Sequence, residues 1–150
     1  MTSGAQTSGC FLCTKPGENK DDENLILYRS ATAFVLLNLY PYNSGHLLIA
    51  PFQHIGDFAA LPRAVAADLI TLAQRCTGIL EETYHPDGFN LGMNLGAAAG
   101  AGEPEHLHMH LVPRWQGDTN FMPIVGETKV LPETLQQTYE RLQPLFHITA

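Results

Sequence analysis

HLHMHLV, residues 106–112, alternates imidazole and aliphatic side chains without a break. Successive side chains of a β-strand point to opposite faces. The pattern therefore predicts a strand with His106, His108 and His110 along one face and Leu107, Met109 and Leu111 turned to the core. At about 3.3 Å per residue, neighbouring histidines are about 6.7 Å apart and the outer two about 13 Å apart. A His-x-His pair can ligate one zinc, but a single ion cannot take all three imidazoles from a flat strand. At least one has another task. A neutral imidazole is abundant near pH 7, and one ring nitrogen becomes a competent nucleophile when the other is fixed by a hydrogen bond. Central His108 is the natural candidate.

Outward from this strand, GAAAGAG at 96–102 is too rich in glycine for an element interior; it reads as a tight loop whose backbone N–H groups can approach an anion. Residues 89–94 alternate as a short strand. Between Pro62 and Tyr84, Val65, Leu69, Leu72, Cys76, Ile79 and Leu80 recur at three- and four-residue spacing. This predicts an amphipathic helix opened by Pro62 and closed by His85-Pro86. Strand-like runs cover 25–29, 33–38 and 45–51, the last two joined by the turn-rich LYPYNS. A second helix is expected from Pro132 through Leu135, Tyr139 and Leu142 to Pro144. Residues 14–24 read as loop, 1–9 and 146–150 as tails. The expectation is one α+β domain over 10–145: about five antiparallel strands, one long helix and a C-terminal helix on one side.

The 150 residues, 45% of them hydrophobic, suffice for one packed core. Fifteen acidic and eight basic residues give a formal charge of −7 with no Lys/Arg stripe, which argues against a nucleic acid polymer as partner. A small phosphorylated ligand needs only histidines and backbone N–H groups. No apolar run reaches about 18 residues, and the first nine lack the features of a signal peptide, so neither membrane insertion nor export is expected and the cytoplasm is. An odd set of cysteines, Cys10, Cys13 and Cys76, suits a reducing compartment, with Cys76 packed on the apolar helix face. Cys10-x-x-Cys13 fits a redox pair, a metal half-site or chance. A redox pair normally caps a helix, and the polar stretch 14–24 predicts none, which favours metal.

Residues 106–112 match a His-φ-His-φ-His-φ-φ signature. LLNLYPYNSGHLLIAP at 36–51, with Asn38 eight residues before His46, and NLGAAAGAG at 94–102 extend the likeness over roughly residues 10–142. On these motifs the chain resembles the histidine triad superfamily. The resemblance implies the HIT-like fold, a homodimer with sheets joined edge to edge, and a nucleotide substrate. It makes His108 the nucleophile that forms a nucleotidyl-phosphoramidate, with His46 and His110 on the α-phosphate. Asn94 would also contact phosphate and Asn38 would hold the ribose hydroxyls. Where most members carry Gln or Ser four residues before the first triad histidine, this chain has Gly102, so leaving-group preference is open. In zinc-containing branches, including the galactose-1-phosphate uridylyltransferases, a CxxC pair joins a histidine after the third strand and the first triad histidine. The matching positions are Cys10, Cys13, His54 and His106, implying a closed, structural zinc site.

PRWQGDTNF at 113–121, followed by TKVLPETL, resembles the diadenosine tetraphosphate phosphorylase branch more than the nucleoside phosphoramidase branch. Trp115 is a substrate-binding candidate there, able to stack on a base or to pack at a dimer interface. The expected activity is cleavage of a dinucleoside polyphosphate by hydrolysis or phosphorolysis. A nucleoside phosphoramidase, a His-x-His zinc hydrolase and a nucleotide-binding module without turnover are the alternatives.

Overall fold

The computed structural model describes residues 9–118 and 133–148. Strands β1 (Ile26–Arg29), β2 (Ala33–Leu37), β3 (Leu47–Pro51), β4 (Gly88–Met93) and β5 (Met109–Arg114) form one antiparallel sheet in the order β1-β2-β3-β5-β4. The last strand thus enters between β3 and β4. Leu48 comes to lie opposite His110, and Leu47 opposite Leu111.

β2 and β3 are aliphatic runs buried on both faces, because each face of the sheet has its own cover. On one side Val35, Leu37, Leu47, Ile49, Met109 and Leu111 pack with Leu69, Leu72, Cys76 and Leu80 of the long helix α3 (Arg63–Tyr84). The other side carries Phe34, Leu36, Leu48 and Ala50, which pack with Leu12, Cys10 and Cys13 from the short helix α1 (Phe11–Gly17) and its start. Side chains alternate along a strand, so Asn38 continues the series Phe34, Leu36, and His46 precedes the series Leu48, Ala50 on this second face. His110, paired with Leu48, joins them. The polar end of that face is where the site forms.

Three segments differ from the sequence expectation. Residues 14–17, the latter part of α1, and the single turn α2 (Asp21–Asn24) are helical although the sequence predicts a loop over 14–24. The charged composition and Pro16 favour no helix, but Leu12 is fully buried and the Cys10 carbonyl accepts the Cys13 and Thr14 N–H groups at 3.0 Å. Tertiary burial overrides propensity there. The strand expected from His106 begins at Met109, because the His106 N–H bonds the Glu103 carbonyl at 3.1 Å and the Leu107 N–H bonds the Ile55 carbonyl at 2.8 Å, outside the regular ladder. The final helix α4 (Leu135–Leu142) opens on a capping box of Thr134 and Gln137, the T-x-x-Q signature of a helix start, two residues after the Pro132 that the sequence predicts as its opening. It continues into a 3-10 turn (Gln143–His147) that buries Phe146 in the core beside Tyr28, although the sequence placed it in a tail.

Residues 1–8, 119–121 of the phosphorylase-like segment, and Pro132 lie outside the described residues. Among those described, no helix is long and apolar enough to cross a membrane.

Candidate active site and metal centre

His46, His108 and His110 converge at the polar end of the second face. The His46 Nε2 lies 3.0 Å from His110 Nδ1, and the His108 and His110 rings are 5.2 Å apart centre to centre. His46 is 1% exposed and His108 9%, so both work largely out of water. Asn38 reaches the same place: its amide nitrogen lies 3.4 and 3.2 Å from the two ring nitrogens of His46, and its oxygen accepts the Tyr40 N–H at 2.9 Å.

Hydrogen-bond directions fix the proton positions. The His108 Nδ1 faces the His106 carbonyl at 3.0 Å, an acceptor, so Nδ1 carries the proton and the lone pair is on Nε2. The Tyr42 N–H donates to His46 Nδ1 at 3.1 Å, which leaves the proton of neutral His46 on Nε2. That N–H donates to His110 Nδ1, and His110 therefore presents Nε2–H. Burial pushes the His46 pKa down to about 3, with the neighbouring His110 adding to the effect, and burial lowers His110 as well. The result is a nucleophilic lone pair beside a neutral donor, both oriented by backbone groups.

Cys10, Cys13, His54 and His106 form a second cluster, with one ligand atom from each within 4.8 Å of all the others. The Cys10 and Cys13 sulfurs lie 3.3 and 3.5 Å from His106 Nδ1, Cys13 lies 3.2 Å from His54 Nδ1, and the two Nδ1 atoms are 3.3 Å apart. A tetrahedral ion with bonds of about 2.3 Å to sulfur and about 2.05 Å to nitrogen would set S···N near ~3.6 Å and N···N near ~3.3 Å. The cluster has those dimensions. His106 Nε2–H donates to the Pro51 carbonyl at 2.8 Å, which turns the Nδ1 lone pair toward the cluster, the orientation a ligand histidine needs. Burial lowers the His106 pKa to about 4 and raises that of Cys10 to about 11. Because the CxxC does stand at a helix start, the absence of a helix no longer separates metal from redox chemistry. The two histidines meeting the thiols do.

Gly56 fuses the two loops that bring His54 and His106 together. A Cβ there would meet the Pro104 carbonyl oxygen at 2.6 Å and Glu105 Cα at 2.8 Å, both backbone atoms that cannot swing aside. Gly56→Ala should cost about 1–3 kcal/mol through this overpacking. Thermal denaturation tests it, and an unchanged Tm would show that the loops part freely.

The HIT domain model matches residues 19–117. The chain belongs to the HIT domain family. It is 42% identical over 118 residues to the AP-4-A phosphorylase of Mycobacterium tuberculosis H37Rv, covering 79% of this chain and 60% of that relative's length. It is 32% identical over 127 residues to the bis(5'-adenosyl)-triphosphatase of Dictyostelium discoideum, covering 81% of this chain and 85% of the relative. Among solved structures, a hypothetical histidine triad nucleotide-binding protein of Sulfolobus tokodaii superposes with a TM-score of 0.71 at 26% identity, over 91% of this chain and 88% of that one. A Zn-bound histidine triad family protein of Mycobacterium smegmatis gives 0.74 at 24%, over 92% and 93%, and supports the fold.

Of the remaining residues expected at the site of this HIT domain, Asn94 follows Met93, which pairs with Met109, and so lies at the register position of His108. Asn94 and Gly102 are exposed and Trp115 is half-buried, and no hydrogen bond among the described residues joins any of them to the histidine group. Asn94 approaches the glycine loop at Gly100, whose ideal Cβ position lies 3.8 Å from its amide nitrogen. Within that loop the N–H groups of Ala99, Gly100 and Ala101 turn inward onto the carbonyls of Gly96 and Ala97, so these three are not available to an anion. Arg114, the nearest cation after the triad in sequence, is held by Asp118 and by the Asn90 side chain. Sequence reading missed Tyr42, whose backbone sets the His46 tautomer, and Pro51, whose carbonyl orients His106. Backbone donors and acceptors leave no signature in residue type.

Proposed function

We propose that this HIT domain cleaves dinucleoside polyphosphates by transferring a nucleotidyl group to His108. The observation that carries the reading is the His108 Nδ1–His106 carbonyl hydrogen bond, which leaves Nε2 as a free lone pair next to the His46–His110 pair. The names of the relatives, AP-4-A phosphorylase and bis(5'-adenosyl)-triphosphatase, support this substrate class.

In this reading His108 Nε2 attacks the α-phosphorus in line with the departing polyphosphate. One N–P bond forms as one P–O bond breaks. His110 Nε2–H, supported by His46, donates to an equatorial oxygen as negative charge builds. Asn38 serves the ribose hydroxyls, Asn94 and the backbone at Gly102 the phosphates, and Trp115 a base. Water or orthophosphate then attacks the same phosphorus and frees His108. With Arg114 already engaged, donors for an anionic acceptor must come from the histidines and from N–H groups of the glycine loop other than those of Ala99, Gly100 and Ala101.

The Cys10, Cys13, His54, His106 set fits zinc in its donor types and spacing. A zinc there would be four-coordinate and closed, tying α1 to the sheet, with no step of the reaction on it. Among the described residues β4 is an edge strand, and its residues carry no charge, which suits pairing with a second copy in a homodimer.

Incubation of diadenosine tetraphosphate with the protein in millimolar phosphate, followed by chromatography, tests the reading. ATP with AMP marks hydrolysis and ATP with ADP phosphorolysis. An untouched dinucleotide, with phosphoramidates cleaved instead, would replace this substrate class by the phosphoramidase alternative.

A further inference from the structure

The 43–46 turn delivers His46 to His110, and something must hold that turn on β5. We propose that Asp118 is a positioning residue that, through Asn43, sets the His46–His110 hydrogen bond. The inference rests on the role given above to that histidine pair.

Asn43 is buried, and its amide nitrogen donates to the Pro113 carbonyl at 2.9 Å and to the Asp118 carboxylate at 3.0 Å. Its own backbone carbonyl accepts the His46 N–H at 3.2 Å. Pro113 is three residues beyond His110 on the same strand. The turn is therefore pinned to β5 at its start through Asn43 and at its end through the Leu47–Leu111 pairing, with His46 between the two points. Gly45, with φ +82°, lets the chain pass: a Cβ there would press on Pro113, Leu80 and Tyr84 at 3.1–3.3 Å.

Asp118 is the hub of this clamp. Besides Asn43, its carboxylate accepts the Trp115 N–H at 2.8 Å, Arg114 Nε at 3.0 Å and Arg114 Nη2. Arg114 in turn donates to Asn90 on β4 at 2.7 Å. One carboxylate thus joins the His46 turn, the end of the histidine strand and the turn bearing Trp115. The Arg114 guanidinium holds its carboxyl well below the usual carboxylate range, so it stays an acceptor throughout the working pH range. Both oxygens are used, one for Arg114 Nη2 and the other for Arg114 Nε, Trp115 and Asn43. No atom of Asp118 hydrogen-bonds a histidine, and Asn43 is its link to the His46 turn.

The test is ¹⁵N NMR of the imidazoles in the full chain without substrate, on wild type, Asp118→Ala, Asp118→Asn and Asn43→Ala. Wild type should show single Nε2–H tautomers at His46 and His110. Asp118→Ala and Asn43→Ala should each mix the tautomers. They should also lower kcat on diadenosine tetraphosphate by about 10- to 100-fold with KM little changed, the effect of a displaced donor. Asp118→Asn keeps an acceptor oxygen and should recover part of both. A merely structural role would lower Tm and leave the tautomers of the folded protein as in wild type; that result in Asn43→Ala overturns the inference even if Asp118→Ala fails to fold. The spectra need no turnover. Altered tautomers in a protein that cleaves no nucleotide would uphold the clamp and reject the proposed function, whereas unaltered tautomers in an active enzyme would do the reverse.

Discussion

Replacing His108 with asparagine should lower dinucleotide turnover by at least ~10³-fold while AMP still binds, as expected when a covalent nucleophile is lost and the pocket is kept. Asparagine is of similar reach and keeps an amide that can meet the His106 carbonyl, but it has no nitrogen lone pair to attack phosphorus. The backbone at 106–107 is held independently by the Glu103 and Ile55 carbonyls, so the substitution should leave the fold in place. Steady-state kinetics and AMP calorimetry on the same preparation read the two effects separately. Intact-protein mass spectrometry of wild type, quenched at high pH, should find one AMP residue attached, and the His108→Asn variant should show none. Near-normal turnover by the variant would reject nucleophilic catalysis by His108, and would leave a metal hydrolase or another nucleophile to be found.

If the Cys10, Cys13, His54, His106 cluster holds a metal as proposed, its removal should have the largest effect on stability. Four donors stand close enough to share one ion, and Cys10 holds its proton strongly when no cation is present, since burial lifts its pKa to about 11. A divalent cation displaces the thiol proton and occupies the lone pairs, and its binding energy becomes folding energy because the unfolded chain lacks the site. At an ion concentration about 1,000 times Kd the gain is about 4 kcal/mol. For a domain of this size that corresponds to about 10 °C in Tm. Elemental analysis of tag-free protein should therefore find about one zinc per chain, and chelation or Cys13→Ser should lower Tm by about that amount. Turnover should survive mild chelation below the new Tm, since no chemical step uses the ion; abolition of turnover in protein that is still folded would favour a His-x-His zinc hydrolase. A zinc-free protein with Cys13→Ser as stable as wild type would remove the metal centre altogether.

The sequence by itself determined the elements whose periodicity matches one buried face. α3 was legible because Val65, Leu69, Leu72, Cys76, Ile79 and Leu80 must all be apolar to pack on the sheet, and every one of them is buried. β2 and β3 were legible as aliphatic runs, and the alternation of 106–112 placed His108 and His110 opposite the helix side. The cysteine pair, His54 and His106 could be grouped only through family resemblance, since 41 residues separate Cys13 from His54. What the tertiary structure alone decided lies where local propensity and final structure disagree. Helix α1 forms in a polar stretch because Leu12 and Cys13 are buried against β2 and β3, an energy the local sequence cannot display. His106 leaves the strand because its backbone is bonded to loops, and Phe146 joins the core because Tyr28 offers a ring to stack on. The proton positions on His46, His108 and His110 were the furthest from view. They depend on the N–H of Tyr42 and the carbonyl of His106, and every residue carries the same backbone, so only the fold could say which of those groups would meet a histidine.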